Sequence, residues 1–428
     1  MNYVVTKLLN DKQLQETAGM NYRKLITAPI AMIMLFVAVP GFSADVNELE
    51  RRLNIVSDEL DRLKSSSGGS GIANRTTVHG YGETLWKAGT DDGAQVDQHR
   101  FVIGVHSEIS EWIHLNAEID FEHAATELEF EFGHLDFLVS QGLNFRAGTM
   151  LMPMGNLNEF HEPNNFFTVE RPSFHSKLLP STWQQAGFGL WGSKGDITYR
   201  VYLTNAISSL DETRKLRATD FIRKGRSQII EDLQVNDIAI SGRVEKKAPG
   251  GQAGFSFYTA GSTGDHIEED GQITIIAGDY KTKRGALDLD FGVMKGWVED
   301  TKEINEACGS AYGLACTTVA PESAFGLLAT VAVHVPELMN MNTIHDFIPF
   351  IQYQKVRPND EEGVGSTHDD NANFDVFTVG MAYKPHPQVA LKTNYRTIFY
   401  EGDEAAGAKA GAAGTSVNYF ELGVAYQY

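Results

Sequence analysis

From residue 72 onward, apolar and polar residues alternate with a period of two. WIHLNAEIDF sets Ile113, Leu115, Ala117, Ile119 and Phe121 against His114, Asn116, Glu118 and Asp120. LNFRAGTM sets Leu143, Phe145 and Ala147 against Asn144 and Arg146, and ITYRVYLT sets Ile197, Tyr199 and Val201 against Thr198 and Arg200. ALDLDFGV sets Leu287, Leu289, Phe291 and Val293 against Asp288 and Asp290. This period sends successive side chains to opposite faces of a strand. There are about sixteen such runs, each near ten residues, which matches the length and even number of strands in a transmembrane barrel. The last run, ELGVAYQY, keeps the alternation up to Tyr428 and reads as a closing strand.

The connections support the same reading. Tight turns at SEW near 110, SQG near 141, GSKG near 194 and KPHP near 385 alternate with long segments, as the two rims of such a barrel require. After residue 44 no apolar stretch approaches 18 residues, so helical spanning is excluded. A soluble sandwich or propeller also alternates. Fully charged partners of the apolar positions favour a wet lumen instead, and aromatics near strand ends favour interfacial girdles. The expected fold is all-β: a 16-stranded antiparallel transmembrane β-barrel preceded by a short α-helical coiled coil.

The coiled coil follows an export signal. MNYRK (20–24) is basic, Leu25 to Val39 is apolar, and PGFSAD supplies small residues, the three parts of a signal peptide over 1–44. Met20 is an alternative start, and cleavage is expected after Ser43 or Ala44. In residues 45–64, Val46, Leu49, Leu53, Val56, Leu60 and Leu63 form an a/d seam, read as a periplasmic coiled coil or a lone amphipathic helix. SSSGGSG (65–71) is a flexible linker, and the barrel is assigned to 72–428.

Composition narrows the function. The formal charge of −20 becomes −22 once 1–44, with four basic and two acidic residues, is removed. No basic stripe suits nucleic acid. The two cysteines, Cys308 and Cys316, cannot build a thiolate zinc site; their spacing in an external loop of an exported chain suggests a local disulfide. The acidic groups of HIEED (Asp265, Glu268, Glu269) and NDEEG (Asp360, Glu361, Glu362) read as solvated loop tips rather than cation sites. His161-Glu162 is followed by Pro163, which spoils a helical metalloprotease motif, and no G-x-S-x-G occurs. Neither a metal, a cofactor nor an enzymatic activity is expected, and an outer-membrane hydrolase is the rival class.

GTMLMPMGNLNEFHEPNNFFTVERPSFHSKLLPSTWQQAGFGLWG (148–192), with GYGE (80–83) and EIDFEHA (118–124), resembles bacterial outer-membrane porins of the phosphate-selective porin O and P type. The resemblance covers 72–428 and implies a water-filled, 16-stranded, trimeric barrel that passes small hydrophilic solutes and ions. The final strand, with Gly423, Tyr426 and Tyr428, resembles the signal read by barrel-assembly machinery. Outer-membrane lipid and lipopolysaccharide are the expected surroundings.

Residues 152–183 lack alternation and are read as the third external loop, which in porins folds inward. It carries Glu159, His161, Glu162, Glu170, Arg171, His175 and Lys177, while Arg100, Arg146, Arg200, Lys392 and Arg396 have lumen parity on the strands. Carboxylates facing guanidinium groups across a constriction would set up a transverse field; alternatively, Glu159 and Glu170 pin the loop to the wall. A basic cluster, Arg214, Lys215, Arg217, Arg223, Lys224 and Arg226, falls in the fourth external loop. It reads as a solvated helix face, a lipopolysaccharide contact or an attractor of anions. A dedicated phosphate channel is the alternative function, although the third loop offers only Arg171 and Lys177 as cations.

Overall fold

The computed structural model describes residues 75–90, 93–210, 214–226, 237–261, 263–264, 271–312, 320–364, 372–401 and 416–428. The expected signal peptide, coiled coil and linker lie outside them, as do Cys316 and the acidic groups of HIEED.

The strands are β1 (Thr76–Gly89), β2 (Gly93–Ser110), β3 (Ile113–Glu122), β4 (Glu127–Ser140), β5 (Leu143–Leu151), β6 (Gln184–Lys194), β7 (Ile197–Asn205), β8 (Ser208–Leu210) and β9 (Ile238–Ala248). They continue as β10 (Gly251–Ala260), β11 (Thr263–Gly264), β12 (Ile273–Arg284), β13 (Leu287–Val298), β14 (Ser323–Val333), β15 (Asp346–Glu361), β16 (Phe374–His386), β17 (Val389–Tyr400) and β18 (Ser416–Gln427). All but β8 and β11 form one closed sheet, each strand hydrogen-bonded to the next and β18 back to β1. The expected 16-stranded antiparallel barrel is therefore the observed one.

Alternation decides which way each face points. Phe101, Phe145, Val201, Phe291 and Leu422 are all more than a third exposed on the outside, and their neighbours Arg100, Asn144, Tyr202, Gly292 and Glu421 are buried. A continuous exposed apolar belt of this extent is out of place in water and suits hydrocarbon. Trp112 lies against Phe137, and Phe347 stacks on Tyr383 at 4.5 Å, near the tight-turn rim. Such amphipathic rings suit the interfacial level.

The seam joins the two ends of the sheet. β1 pairs with β18 from Tyr81↔Gln427 to Gly89↔Tyr419. Beyond it, Tyr428 N–H donates to Gly80 O at 2.9 Å and Gly80 N–H donates to Tyr428 O at 3.1 Å. The Tyr428 hydroxyl donates to Val102 O at 3.0 Å, and its ring stacks on Phe101. A Cβ at Gly80 would stand 2.7 Å from the Tyr428 hydroxyl, so only glycine leaves room for this closure.

Two expectations about the connections need correction. The first two long-loop-rim connections, 90–92 and 123–126, are as short as turns, because β1 to β4 extend close to that rim. At the opposite rim, 334–345 is long and holds α1 (Val335–Leu338) rather than a tight turn. The lumen is also less wet than expected. Ile273, Ile275, Ala277 and Met294 point inward and are buried with Phe221 and Ile222 of the β8–β9 connection. That connection folds back over an apolar part of the wall.

Two substitutions test the outer face and the seam. Phe291→Arg places a charge in hydrocarbon and should cost about 2–4 kcal/mol, whereas Gln252→Arg, in the lumen, should fold normally; heat-modifiable gel mobility reports both. Tyr428→Ser removes the closing contacts and should lower the yield of folded barrel in membrane fractions, with unchanged yield counting against a role in assembly.

Candidate pore and its inward loop

The β5–β6 connection, 152–183, is the third at its rim, and it turns into the barrel at a clamped neck. Met152 N–H donates to Trp183 O at 2.9 Å, and the buried Asn158 amide donates to both Met152 O and Trp183 O while accepting from Trp183 N–H. Gly155 sits at φ +68°, a left-handed conformation that favours glycine, and its N–H donates to Ser256 on β10 at 3.2 Å. Beyond this corner the chain crosses the lumen.

Its backbone is held by the far wall. Lys392 on β17 donates to Pro163 O at 2.5 Å and Thr168 O at 3.0 Å, and Lys384 on β16 donates to Asn164 O at 3.1 Å. Val169 N–H donates to Asn394 on β17 at 2.7 Å, and Phe174 N–H donates to Gln354 on β15 at 2.9 Å. Asn156 donates to Asp290 on β13 at 2.8 Å. All but the last of these bonds satisfy backbone groups that a non-regular segment away from bulk water would otherwise leave unpaired.

Ion pairs fix the charged positions. Glu159 meets Arg200 at 3.2 Å, and Glu170 meets Arg396 at 2.6 Å and Lys87 at 3.0 Å. His161 lies 3.1 Å from Glu131 and 2.8 Å from the Tyr81 hydroxyl. Arg171 donates to the carbonyls of Ser181 and His161, both at 3.2 Å. Glu162 accepts from Asn165 at 2.7 Å, within the loop itself. His175 is buried and Lys177 half-buried.

Of the two arrangements expected, charges opposed across a gap and carboxylates pinning the loop, these contacts are of the second kind. Glu159 and Glu170 touch wall cations, because the loop reaches the wall on both sides. Arg146 does not face a loop carboxylate: it pairs with Asp136 at 2.7 Å and donates to the Tyr202 hydroxyl. Arg100 is enclosed by Glu83 at 3.1 Å and Glu122 at 3.0 Å, with Asp120 at 3.6 Å.

Some partners escaped the sequence reading. Lys87, Glu131, Tyr81, Asn394 and Glu421 are contact residues, as is the buried Arg243, which binds Asp279 at 2.6 Å and Glu245 at 2.7 Å. Lumen parity alone could have nominated them, but it does not rank one inward residue above another.

The fourth-loop basic cluster also has a different setting from the one expected. Arg223 donates to Ser176 O at 2.7 Å, Arg226 donates to Thr182 O, and Arg217 pairs with Asp220. Arg223 and Arg226 bind carbonyls of the third loop instead of lying on a solvated face, because Leu216, Phe221 and Ile222 are buried and draw the segment inward. Cys308, in the helix Thr301–Tyr312, is disulfide-bonded; its expected partner Cys316 lies outside the described residues.

Between the loop and the β9–β15 wall remains a cavity of about 540 Å³. Phe160, Asn165 and Phe167 line one side, and Glu245, Lys281, Asp288 and Asp290 line the other. Its wall carries both signs of charge.

Protonation differs along the loop. Burial raises Glu170, but the charges of Arg396 and Lys87 and their hydrogen bonds outweigh it and hold the carboxyl down at about 2. Burial pushes Glu159 up despite Arg200, so on acidification it protonates before Glu170. Burial, then the charge of Arg171, pushes His175 down to about 3 and keeps it neutral. Burial, then Arg100, lowers Arg171 to about 10, which leaves it charged at neutral pH.

No protein-family model matches the chain. An uncharacterized protein of Aquifex aeolicus (strain VF5) is 27% identical over 360 residues, covering 80% of this chain and 81% of that protein. Among solved structures, Salmonella typhi OmpF in complex with daunomycin aligns with a TM-score of 0.53 at 10% identity, covering 82% of this chain and 97% of that one. The trimer form of Vibrio cholerae OmpT gives 0.52 at 8% identity over 82% and 99%. The outer-membrane channel DcaP of Acinetobacter baumannii gives 0.51 at 10% identity over 82% and 97%. The class that the fold defines is the sixteen-stranded porin-type barrel; the phosphate-selective subtype finds no separate support in these likenesses.

The ion pairs generate two predictions. Glu159→Gln combined with Glu170→Gln should loosen the loop, so that trypsin cleaves after Lys177 in the folded variant much faster than in the parent. Because Glu170 is depressed, the stability it supplies is complete above the usual carboxylate range and is lost as pH falls through about 2. The protection from pepsin that Glu170 contributes should therefore persist at about pH 4 and fall as pH approaches 2, as the difference between the parent and Glu170→Gln will report.

Proposed function

We propose that the chain is a bacterial outer-membrane porin: a passive channel, not an enzyme, for small hydrophilic solutes and ions, narrowed by residues 152–183. The observation that carries this reading is the closed barrel with an apolar exterior and a loop bound across its lumen. A closed sheet leaves no unpaired edge in hydrocarbon, so it can span a membrane. Its interior can then carry polar groups at no cost to the lipid face.

Glu159, His161, Glu162, Glu170, Arg171, His175 and Lys177 then line or support the constriction, and Arg100, Arg146, Arg200, Lys392 and Arg396 belong to its wall. Anchoring and filtering are compatible roles for the paired groups. A general channel is favoured over a phosphate channel by the state of the guanidinium groups. Arg100, Arg146, Arg200, Arg243 and Arg396 are each engaged by carboxylates, whereas a phosphate site needs donors left available for the anion. Assembly as a homotrimer in lipopolysaccharide-bearing membrane, through barrel-assembly machinery reading Gly423, Tyr426 and Tyr428, belongs to the same proposal.

Planar-bilayer recording tests it. The purified full chain should insert as discrete conductance steps, and deleting most of 156–180 should raise the step size and weaken selectivity measured by reversal potential. Absence of conductance from folded protein would sink the porin reading. An unchanged step after the deletion would remove the loop from the pathway.

A further inference from the structure

Where the inward loop meets the wall, three side chains far apart in sequence converge. Glu118 of β3, Glu131 of β4 and His161 of the loop each bring a donor atom within 4.8 Å of the other two. They are 7%, 2% and 2% exposed. The enclosure matters because water cannot readily screen the two carboxylates from each other.

With His161 neutral and both carboxylates ionised, the protons available do not satisfy the atoms present; without an ion, an imidazolium Nε2–H would have to serve Glu131. His161 Nδ1 lies 3.0 Å from Asn158 O, a carbonyl that can only accept, so Nδ1 carries a proton. In the neutral ring Nε2 then presents a lone pair, and it lies 3.1 Å from Glu131 Oε2, another acceptor. The Tyr81 hydroxyl stands 2.8 Å from Nε2 and 3.3 Å from Glu131 Oε2, with one proton for both. Glu118 Oε2 is buried with no hydrogen-bond partner. Arg100 comes only to 4.0 Å from Glu131, being engaged by Glu83 and Glu122.

We propose that Glu118, Glu131 and His161 form a binding site for a divalent cation of the zinc or manganese class, which clasps the inward loop to the barrel wall. Convergent lone pairs are what such an ion requires. An imidazole whose other nitrogen donates to a backbone carbonyl is the usual orientation of a ligating histidine. One nitrogen and two carboxylates suit zinc or manganese better than calcium, which takes six to eight oxygens. The Tyr81 hydroxyl or water would complete the shell. A second cluster at the long-loop rim, Asp97, His99 and His123, is a weaker candidate: both imidazoles already hydrogen-bond to Asp97 Oδ2, at 3.1 and 2.8 Å.

The test uses the full chain folded in detergent, stripped with EDTA, equilibrated with Zn²⁺ and freed of excess before the metal is counted. Wild-type protein should retain one zinc per chain and resist heat unfolding on gels to a higher temperature than the stripped form. Folded Glu118→Gln and His161→Gln should each lose retention by about tenfold or more, while His99→Ala with His123→Ala should keep it. X-ray absorption at the zinc edge should give one imidazole and otherwise oxygen ligands. That readout needs no variant, so it decides the matter even if the substitutions fail to fold. No retained Zn²⁺ or Mn²⁺ in folded wild-type protein overturns the proposal, as do two imidazole ligands or loss of metal only in the rim variant. None of these readouts is a conductance, so the porin reading stands or falls separately.

Discussion

The structure depends on one constraint: a sheet that lies in hydrocarbon must pair every backbone N–H and C=O within itself. The β1–β18 seam meets that constraint by joining the first strand to the last, with Tyr428 and Gly80 exchanging hydrogen bonds at its end. Once the seam is closed, each strand has one face turned outward and one turned to the lumen. The inner face is then free to hold charge, and this barrel uses that freedom heavily. Arg100, Arg200, Arg243 and Arg396 sit inside it with carboxylates within 3.3 Å.

The inward loop follows from the same economy of polar groups. An irregular segment inside a barrel needs partners for its backbone, and Lys392, Lys384, Asn394 and Gln354 provide them from strands on the far side. Its carboxylates are then placed against wall cations rather than opposite them. Removing one member of such a pair leaves the other desolvated, which is why buried pairs are costly to break even where they add little net stability. The loop is therefore held in register by many moderate interactions, and the cavity beside it inherits a wall of mixed sign. The β8–β9 connection completes the packing, its Arg223 and Arg226 bound to carbonyls of the third loop and its apolar residues buried with Ile275 and Met294.

The sequence by itself determined the strands, because a period of two over runs near ten residues has few other physical meanings, and it marked 152–183 as exceptional because alternation stops there. It could also assign Arg100, Arg146, Arg200, Lys392 and Arg396 to the inner face, since parity within a strand is a local property. Contact between strands is not local. That Glu170 meets Arg396 and Lys87, that Arg146 turns to Asp136 instead of the loop, and that the fourth-loop arginines hold the third loop were decided only when sixteen strands closed at one register. The apolar inner patch at Ile273 and Ile275 was hidden because the outward Thr274 and Ile276 are no more apolar than these inward residues, which removes the signal that parity depends on. The meeting of Glu118, Glu131 and His161 is of the same kind: each residue is ordinary in its own segment, and their relation exists only because the loop returns to lie against β3 and β4.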